Sequence, residues 1–260
     1  DVVAALREGV GLSDYLSVVP ELITHLTTGL PPPAGVAVVR AVADWYCAGL
    51  NRPAPNDLVR QLYPTYLPDD DATLLDLYDD GVRWACTPVF GARLISQRTD
   101  GTGFTIHDAV LDHFANALPS GLPASTWTAI AAAIADSPDD LVQAGVIAYI
   151  THHASTAENL LRCAADLGDV IAMAGLGFLL RERGDAVSVG EAEAWWRRAA
   201  DLGQAEAMTS LGVLLHERGD AVSVGEAEAW YRRAADLGDE DAMNNLEVLL
   251  EARGNPTGSA

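Results

Sequence analysis

The chain has 260 residues, of which 49% are hydrophobic, enough for one large core or two of ordinary size, and we predict two. Its 37 acidic residues outnumber 16 Lys and Arg residues and give a formal net charge of −21, which repels phosphate backbones and anionic membrane surfaces. Nucleic acid and membranes are therefore not expected partners. All 16 of those basic residues are arginine, so a Walker A lysine and a Schiff-base lysine are excluded.

Cysteine content and the N-terminus indicate the compartment. Cys47, Cys86 and Cys163 are odd in number and lie in apolar helical contexts, which is typical of reduced, buried thiols. No apolar run reaches the roughly 20 residues of a membrane span, and no signal-peptide pattern begins the chain. We therefore expect a cytoplasmic protein. Because the first residue is Asp1 rather than Met, we also expect the sequence to be a fragment of a longer chain.

Helical spacing of apolar residues dominates the first third of the chain. It predicts helices from Leu12 to Leu30, from Gly35 to Leu50, from Asn56 through Tyr63, and from Asp70 or Asp71 to Cys86. Pro20 is expected to bend or split the first helix. The second should bury one face, which contains Val36, Val39, Ala43 and Cys47. Trp45 is expected on its other side.

A change of period follows these helices. The β-prone runs Pro88 to Ser96 and Gly103 to Ile106 flank an Asp100-Gly101 turn and predict one β-hairpin. Two further helices should begin at His107-Asp108 and at Pro123. Helices followed by one hairpin outline a winged-helix module, so we predict a winged-helix-like helical domain over residues 1–120 and a connecting helix over residues 121–139.

The charge of the predicted wing argues against DNA binding. Its basic residues are Arg93 and Arg98, and five aspartates lie just upstream, Asp70, Asp71, Asp76, Asp79 and Asp80. A structural or regulatory winged helix is therefore favoured. A winged-helix DNA-binding regulator remains an alternative, and its affinity would fall steeply with added salt.

The C-terminal half contains a duplication. ERGDAVSVGEAEAWWRRAADLG, which begins at Glu182, recurs from Glu217 with one difference, Tyr231 in place of Trp196. The sequence AADLG begins at Ala164, Ala199 and Ala234, a spacing of 35 residues that is typical of helical-hairpin solenoids. We predict a repeat array over residues 140–260, with a degenerate first copy near Asp140.

Each repeat is predicted to be a pair of helices. The first helix carries a stripe that should be buried: Ala172, Met173, Leu176, Leu179 and Leu180 in one copy, Ala207, Met208, Leu211, Leu214 and Leu215 in the next, and Ala242, Met243, Leu246, Leu249 and Leu250 in the last. RGD followed by AVSVG is expected to link the two helices, with Gly184 and Gly219 as helix C-caps. Glu247 replaces the glycines at Gly177 and Gly212 and is expected to end the array.

The stretch AEAWYRRAADLGDEDAMNNL, from Ala227 to Leu246, resembles the Sel-one-like repeat, a relative of the tetratricopeptide repeat. In that family an A-x-x-W-Y-x-x-A-A-x-x-G helix is followed by an A-x-x-x-L-G helix. The resemblance extends over about Asp140 to Gly254. It implies a right-handed α-solenoid that contacts other proteins and has no catalysis of its own.

The N-terminal half is similar to the segment that follows the ATPase core of actinobacterial STAND-type signalling ATPases. The similarity rests on the order of AVVRAVADWYCAGLNRPAPNDLVRQLYPTYL, LYDDGVRWACTPVFGARLISQ and an F-x-I-H-D-x-x-L-D-H helix. The P-loop and the Mg²⁺-binding acidic strand of such ATPases are absent from this sequence. The similarity implies an ATPase domain upstream in the same polypeptide and a bacterial role in signalling or defence.

No catalytic pattern appears in the sequence. It contains no G-x-S-x-G, H-E-x-x-H, C-x-x-C or dinucleotide-binding glycine motif. His107 and His113 are six residues apart and point to different sides of a helix, so we expect no metal site there. His107-Asp108 is interpreted as a helix N-cap, and Glu193–Arg197 and Glu228–Arg232 as ion pairs on a solvated face. We predict no enzyme activity and no cofactor.

The leading hypothesis is a protein-interaction and ligand-sensing module, the regulatory end of a STAND-like ATPase. A free-standing repeat scaffold or adaptor is the main alternative. The candidate protein-binding residues on the solenoid surface are Trp195, Arg198, His216, Trp230 and Arg233, because Trp and Arg are common anchors at interfaces. The opposing interpretation places the rings of Trp195, Trp196, Trp230 and Tyr231 in the core. Recognition should reside where the copies differ: at Asp169-Val170-Ile171, Gln204-Ala205-Glu206 and Asp239-Glu240-Asp241, or at Arg181, His216 and Glu251.

Overall fold

The computed structural model of the chain describes residues 12–28, 31–68, 72–89, 91–117 and 121–254. These residues form two compact units. The N-terminal unit contains the described residues up to Ala135 together with Val146–Thr156. The solenoid unit contains Asp136–Gly145 and the described residues from Ala157 onward. None of the described helices is long and apolar enough to cross a membrane.

The N-terminal unit is mainly helical, as predicted. Its helices are α1 (Leu12–Thr27), α2 (Pro33–Cys47), α3 (Asn56–Leu62), α4 (Tyr78–Ala85), α5 (Asp108–Asn116) and α6 (Ala124–Ala133). Two 3₁₀ helices, Tyr63–Tyr66 and Ala72–Leu77, lie between α3 and α4. The prediction of one α-helix up to Cys86 was therefore wrong over Ala72–Leu77, and its start at Asp70 or Asp71 lies outside the described residues. Helix α1 continues through Pro20 without a break.

Helix α2 is the centre of this unit and is buried on nearly all sides. It packs against α3, α4 and α5 and against the strands. Trp45, Val38 and Val42 are all fully buried. The prediction of a single buried face was therefore wrong, because a central helix has neighbours all around it. The close approach of α4 depends on Gly81, where a Cβ atom would lie 2.6 Å from the carbonyl oxygen of Ala34.

A buried carboxylate lies on α2. Asp44 is fully buried, accepts a hydrogen bond of 3.0 Å from Nε of Arg40, and accepts another from the hydroxyl of Tyr66. Burial raises the pKa of Asp44, and the bonds from Tyr66 and Arg40 oppose that rise. The Tyr66 hydroxyl also lies 3.1 Å from the hydroxyl of Thr126. These hydrogen bonds connect α2 to the 3₁₀ helix Tyr63–Tyr66 and to α6.

The predicted hairpin is confirmed and belongs to a three-stranded antiparallel sheet. The strands are β1 (Ala54–Pro55), β2 (Ile95–Gln97) and β3 (Gly103–Ile106), in the order β1-β3-β2. Ile95 pairs with Ile106 and Ala54 with Phe104. The first β-prone run was predicted too long, since Val89 and Ala92 form only an isolated bridge before β2. Strand β1 was not predicted, because it is only two residues long and the prolines within and beside it, Pro55 and Pro53, are untypical of strands.

The remainder of the described chain is helical. Its helices are α7 (Pro138–Ile150), α8 (Ala154–Asp166), α9 (Val170–Arg183), α10 (Ala186–Asp201), α11 (Ala205–Arg218), α12 (Ala221–Asp236) and α13 (Glu240–Gly254). Helices α9 and α10 form one hairpin, α11 and α12 form the next, and each hairpin packs on the helix that follows it. A mainly α fold with a solenoid of helical hairpins is therefore confirmed.

Caps set the boundaries of these helices. Gly184 and Gly219 are the C-caps of α9 and α11, as predicted, and they adopt the left-handed conformation with φ of 72° and 73°. The linker prediction was wrong, because AVSVG forms the first turns of α10 and α12 rather than a connection. Asp185 is the N-cap of α10 and accepts hydrogen bonds from the backbone nitrogen of Ser188 at 3.0 Å and from its hydroxyl at 2.6 Å.

The predicted stripe is buried in two of its three copies. Met173, Leu180, Met208 and Leu215 are each no more than 2% exposed. In α13 Ala242 and Leu249 are buried as predicted, but Met243 is 46% exposed and Leu250 is 43% exposed, so the prediction was wrong for these two residues. Within the described residues no second helix follows α13 to cover it. The cysteine prediction also needs correction, since Cys163 is exposed and Cys47 and Cys86 are half-buried.

Candidate protein-binding groove

A groove of about 500 Å³ lies on the first helices of the repeats, within the solenoid unit. Helices α9, α11 and α13 supply its walls, and one ring of α10 reaches its floor. Its lining residues are Phe178, Arg181, Glu182, Trp196, Thr209, Ser210, Val213, Asp241, Asn244 and Asn245. Its volume falls in the range of about 300–1,000 Å³ that is common for ligand sites.

The walls are built from equivalent positions of successive repeats. Thr209 and Asn244 are 35 residues apart, as are Ser210 and Asn245, and Phe178 and Val213. The side chains therefore come from one helix face that is repeated, but their chemistry changes from copy to copy. Most of the lining therefore comes from variable positions of the repeat, whereas Glu182 and Trp196 belong to the stretch that recurs from Glu217.

Apolar and amide side chains lie close together in the groove. Phe178 is 51% exposed, and Val213 beside it is half-buried. Asn244 is exposed and Asn245 is half-buried. A carboxamide offers both donors and an acceptor, and so it can pair with the N–H and C=O groups of a peptide. The groove can thus hold an apolar side chain and the backbone on either side of it.

Charged side chains flank the groove. Arg181 donates a hydrogen bond of 2.6 Å from Nη2 to Glu217, which joins the ends of α9 and α11. Asp241 lies in the first turn of α13, where a carboxylate is favourable near the helix N-terminus. The guanidinium of Arg181 is therefore already paired, whereas the Asp241 carboxylate is exposed to whatever enters from that side.

The predicted residues Trp195 and Trp230 lie on the second helices, α10 and α12. Their side chains are 9% and 8% exposed, and neither lines the groove. The guanidinium carbons of Arg198 and Arg233 lie 4.6 Å and 4.3 Å from the centres of these two rings, within cation–π distance. Each tryptophan is thus covered by the arginine that was predicted beside it.

A glutamate holds each of these rings from the other side. The indole nitrogen of Trp195 donates to Glu191 at 3.4 Å, and that of Trp230 donates to Glu226 at 3.3 Å. Hydrogen bonds from Arg162 to Glu191 and from Arg197 to Glu226 lower the pKa of each glutamate. The tryptophans therefore belong to an ordered polar network between successive second helices.

The predicted ion pairs are confirmed and extend across the repeats, but the prediction of a solvated face was wrong for Glu228, which is 8% exposed. Glu193 accepts a hydrogen bond of 2.9 Å from Arg197 on its own helix and another from Arg218 at the end of α11. Burial acts to raise the pKa of Glu193, but the bonds from Arg218 and Arg197 outweigh it and the pKa falls. Arg232 pairs with Glu228 at 2.6 Å. This network occupies the second-helix side, away from the groove.

His216 and its equivalents lie at the ends of the first helices. His216 is exposed in the last turn of α11, and its carbonyl accepts the N–H of Gly219 at 3.0 Å. Its equivalent in the preceding repeat, Arg181, lines the groove, whereas His216 itself does not. The five predicted residues are therefore not brought together, because the two Trp–Arg pairs and His216 lie on different helices.

Most residues of the groove were missed from the sequence. The binding residues were predicted from aromatic and basic side chains, most of which lie on the second helices. A better signal was present in the columns where the copies differ, such as Gly175, Ser210 and Asn245. Asp241 and Arg181 were both recognised as positions of difference between the copies. That criterion, applied along the whole first helix, would have found the groove.

The other candidate chemistry has structural roles. His107 is the N-cap of α5, as predicted, and its Nδ1 accepts the N–H of Ala109 at 3.3 Å. Across the described ranges, no group of three or more His, Cys, Asp or Glu side chains is placed to hold a metal ion.

Comparison with known protein families finds matches to one repeat family in three consecutive segments. The Sel1 repeat matches residues 154–169, 170–204 and 205–239. The first match contains α8, and the other two contain the hairpins α9–α10 and α11–α12. The chain thus carries three Sel1 repeats, while α7 and α13 lie outside the matched residues. No curated protein matches the sequence.

One similar solved structure is a protective antigen present in uropathogenic Escherichia coli strains, which displays an SLR fold. It is 18% identical to this chain, with a TM-score of 0.44, and the match covers 85% of this chain. The chain spans 42% of the length of that protein.

Proposed function

We propose that this chain is a protein-interaction module that holds an extended segment of a partner protein in the groove of α9, α11 and α13. The observation that carries this proposal is the position of the groove. Most of its walls are residues that vary between otherwise closely similar repeats, such as Phe178 against Val213 and Ser210 against Asn245. Solenoid repeats bury their constant positions in stacking and leave the variable ones for recognition.

The lining favours a peptide of defined chemistry. An apolar side chain of the partner fits beside Phe178, which already exposes half of its own side chain. The peptide backbone on either side pairs with the carboxamides of Asn244 and Asn245. A basic side chain then lies near Asp241, because that carboxylate is exposed in the first turn of α13. We therefore expect an apolar residue followed or preceded by Lys or Arg.

Selection of peptides tests this proposal. A phage library of random 12-residue peptides is selected on the full chain, and the enriched peptides are synthesised and titrated by fluorescence anisotropy. We expect Phe178→Asp and Asn244→Ala to weaken their binding by about tenfold or more, since each removes a contact in the groove. Val187→Asp is the matched control, because Val187 is 81% exposed and lies outside the groove lining.

The result that contradicts a groove function is equally clear. If the enriched peptides bind Phe178→Asp as tightly as the unaltered chain and lose affinity with Trp195→Ala or Arg198→Ala, recognition takes place on the second helices. The five residues predicted from the sequence would then be the binding site. The melting temperature of each variant must stay near that of the parent for the comparison to count.

The biological setting that we propose for this module is the sensor end of a bacterial STAND-type ATPase, and a free-standing scaffold accounts for the groove equally well. The sensor role is supported by the order of segments in the N-terminal half. A P-loop encoded upstream in the same reading frame would favour it. A chimera without the repeats that still responded to its trigger would refute it.

A further inference from the structure

Helix α13 presents an uncovered stripe with one acidic residue at its centre. Met243, Glu247 and Leu250 are spaced by four and three residues, so they lie along one face of the helix. Met243 is 46% exposed, Leu250 is 43% exposed, and Glu247 is also exposed. Two large, exposed apolar side chains on the same face of a helix, in a chain that carries a high net charge, mark a surface for contact.

The same face is covered in the two preceding repeats. Met173 and Leu180 of α9 are each 1% exposed beneath α10, and Met208 and Leu215 of α11 are 2% and 1% exposed beneath α12. The chain itself therefore provides two examples of a helix that covers this face, α10 and α12. In both cases the cover is an amphipathic helix that packs antiparallel on the first helix of the repeat.

The centre of the stripe decides which helix can fit on α13. Its equivalents are Gly177 and Gly212, where a Cβ atom would lie 2.5 Å from the ring of Trp196 or of Tyr231. Each ring occupies the space that a side chain would need. Glu247 fills that space on α13, so a helix with an aromatic ring at this place cannot approach. A helix that does approach would bury the Glu247 carboxylate, and it must therefore pair that carboxylate with a cation.

We propose that the stripe Met243–Glu247–Leu250 docks an amphipathic helix of a partner protein that carries Arg or Lys where α10 and α12 carry Trp196 and Tyr231. Charge argues against a second copy of this chain as the occupant. A two-fold pairing of α13 with itself would bring acidic residues together, because Glu251 lies one turn from Glu247 on the same helix. The surface is separate from the groove residues, so it gives the module a second, independent contact.

The sequence of α12 supplies a probe. A peptide of Ala221–Asp236, held helical by a hydrocarbon staple on its solvent face and labelled with fluorescein, is made with its own Tyr231 and with Tyr231→Arg. Both are titrated into the full chain by fluorescence anisotropy. We expect the Arg peptide to bind at least about tenfold more tightly than the Tyr peptide, because only the Arg peptide carries a cation at the position that faces Glu247.

Exchange of the central residue must exchange the preference. In Glu247→Gly the stripe becomes equivalent to that of α11, so the Tyr peptide should bind at least about tenfold more tightly than the Arg peptide. Met243→Asp should weaken both peptides. Circular dichroism and the melting temperature show that each variant is folded, and the phage-selected groove peptides should bind all of them unchanged.

Three outcomes overturn the proposal. The first is failure of the Arg peptide to bind the unaltered chain. The second is a preference for one peptide that is the same with Glu247 and with Gly at this position. The third is a concentration-dependent dimer in sedimentation equilibrium that Leu250→Asp disperses, since a second copy of this chain would then occupy the stripe.

Discussion

Gly177 and Trp196 fit together because glycine has no side chain. A Cβ atom on Gly177 would lie 2.5 Å from Nε1 of Trp196, and that nitrogen donates a hydrogen bond of 3.1 Å to the carbonyl oxygen of Ala174. The ring is thus fixed both by the missing side chain and by the backbone beside it. Gly212 and Tyr231 have the same relationship in the next repeat. The pair sets how closely the two helices of a hairpin approach.

The first prediction concerns this glycine. Gly177→Ala should destabilise the solenoid by about 1–3 kcal/mol, because the methyl group forces the Trp196 ring out of its place. Gly190→Ala is the matched control, since Gly190 is also inside a helix and a Cβ atom there would meet nothing within 4 Å. It should stabilise by roughly 0.5–1 kcal/mol through helix propensity. Urea unfolding followed by circular dichroism measures both, and equal stability of the two variants would contradict the prediction.

The second prediction separates two neighbouring rings. Trp196→Ala should cost about 3–5 kcal/mol of stability, because a 2% exposed ring leaves a cavity between α9 and α10. Trp195→Ala should cost less, since its ring is 9% exposed and is contacted by the flexible side chain of Arg198. Unfolding midpoints and affinity for the selected peptides are measured together. If Trp195→Ala lost peptide binding without losing stability, Trp195 would belong to the binding site.

The repeat architecture could be predicted from the sequence because the two long copies differ at one position over 22 residues. Its details depended on competition between local signals. The run AVSVG, which contains Gly190, was predicted to be part of the link, yet the carboxylate of Asp185 caps the helix and outweighs the single glycine. Strand β1 is two residues long and contains Pro55, so no local signal could mark it. Only its pairing with β3 forms it.

The third prediction concerns pH. The bonds from Arg218 and Arg197 hold the pKa of Glu193 below its ordinary value of 4.5, so its contribution to stability is present above about pH 4.5 and is lost as the pH falls through the lowered pKa. At pH 7, Glu193→Gln should be less stable than the parent chain by about 1 kcal/mol. That difference should shrink as the pH is lowered below about 4.5. A difference that is independent of pH in urea titrations would contradict this ion pair.

The fourth prediction concerns the buried carboxylate of the N-terminal unit. Arg40→Met should destabilise the N-terminal unit by about 3–5 kcal/mol, because the Asp44 carboxylate then stays buried without its cationic partner. The double variant Arg40→Met with Asp44→Asn should recover most of that loss, since no charge remains. Thermal unfolding of the parent, the two single variants and the double variant gives the coupling energy between the residues. Additive losses would show that the pair does not interact.

The groove could be predicted only in part. Asp241 and Arg181 differ from their equivalents in other repeats, and that difference identifies them from the sequence alone. Phe178 also differs from its equivalent Val213, but both are apolar, and an apolar residue in an apolar helix is first interpreted as core. Its 51% exposure depends on where α11 lies beside α9. Burial of Trp195 likewise depends on Arg198 folding back over the ring, a contact that spacing does not determine.

Helices α10 and α12 have nearly the same sequence, the same aspartate cap and the same ring position, so each could take the place of the other. Removal of residues 186–220 joins Asp185 directly to Ala221 and restores the sequence RGDAVSVG at the junction. We expect this shortened chain to fold, with Tyr231 seated on Gly177, and to unfold cooperatively with a lower midpoint. A chain from which 30 residues are removed should not fold in this way, because the deletion breaks the 35-residue period of the repeats. The gene for such a protein can therefore lengthen or shorten its binding surface by whole hairpins without passing through an unfolded product.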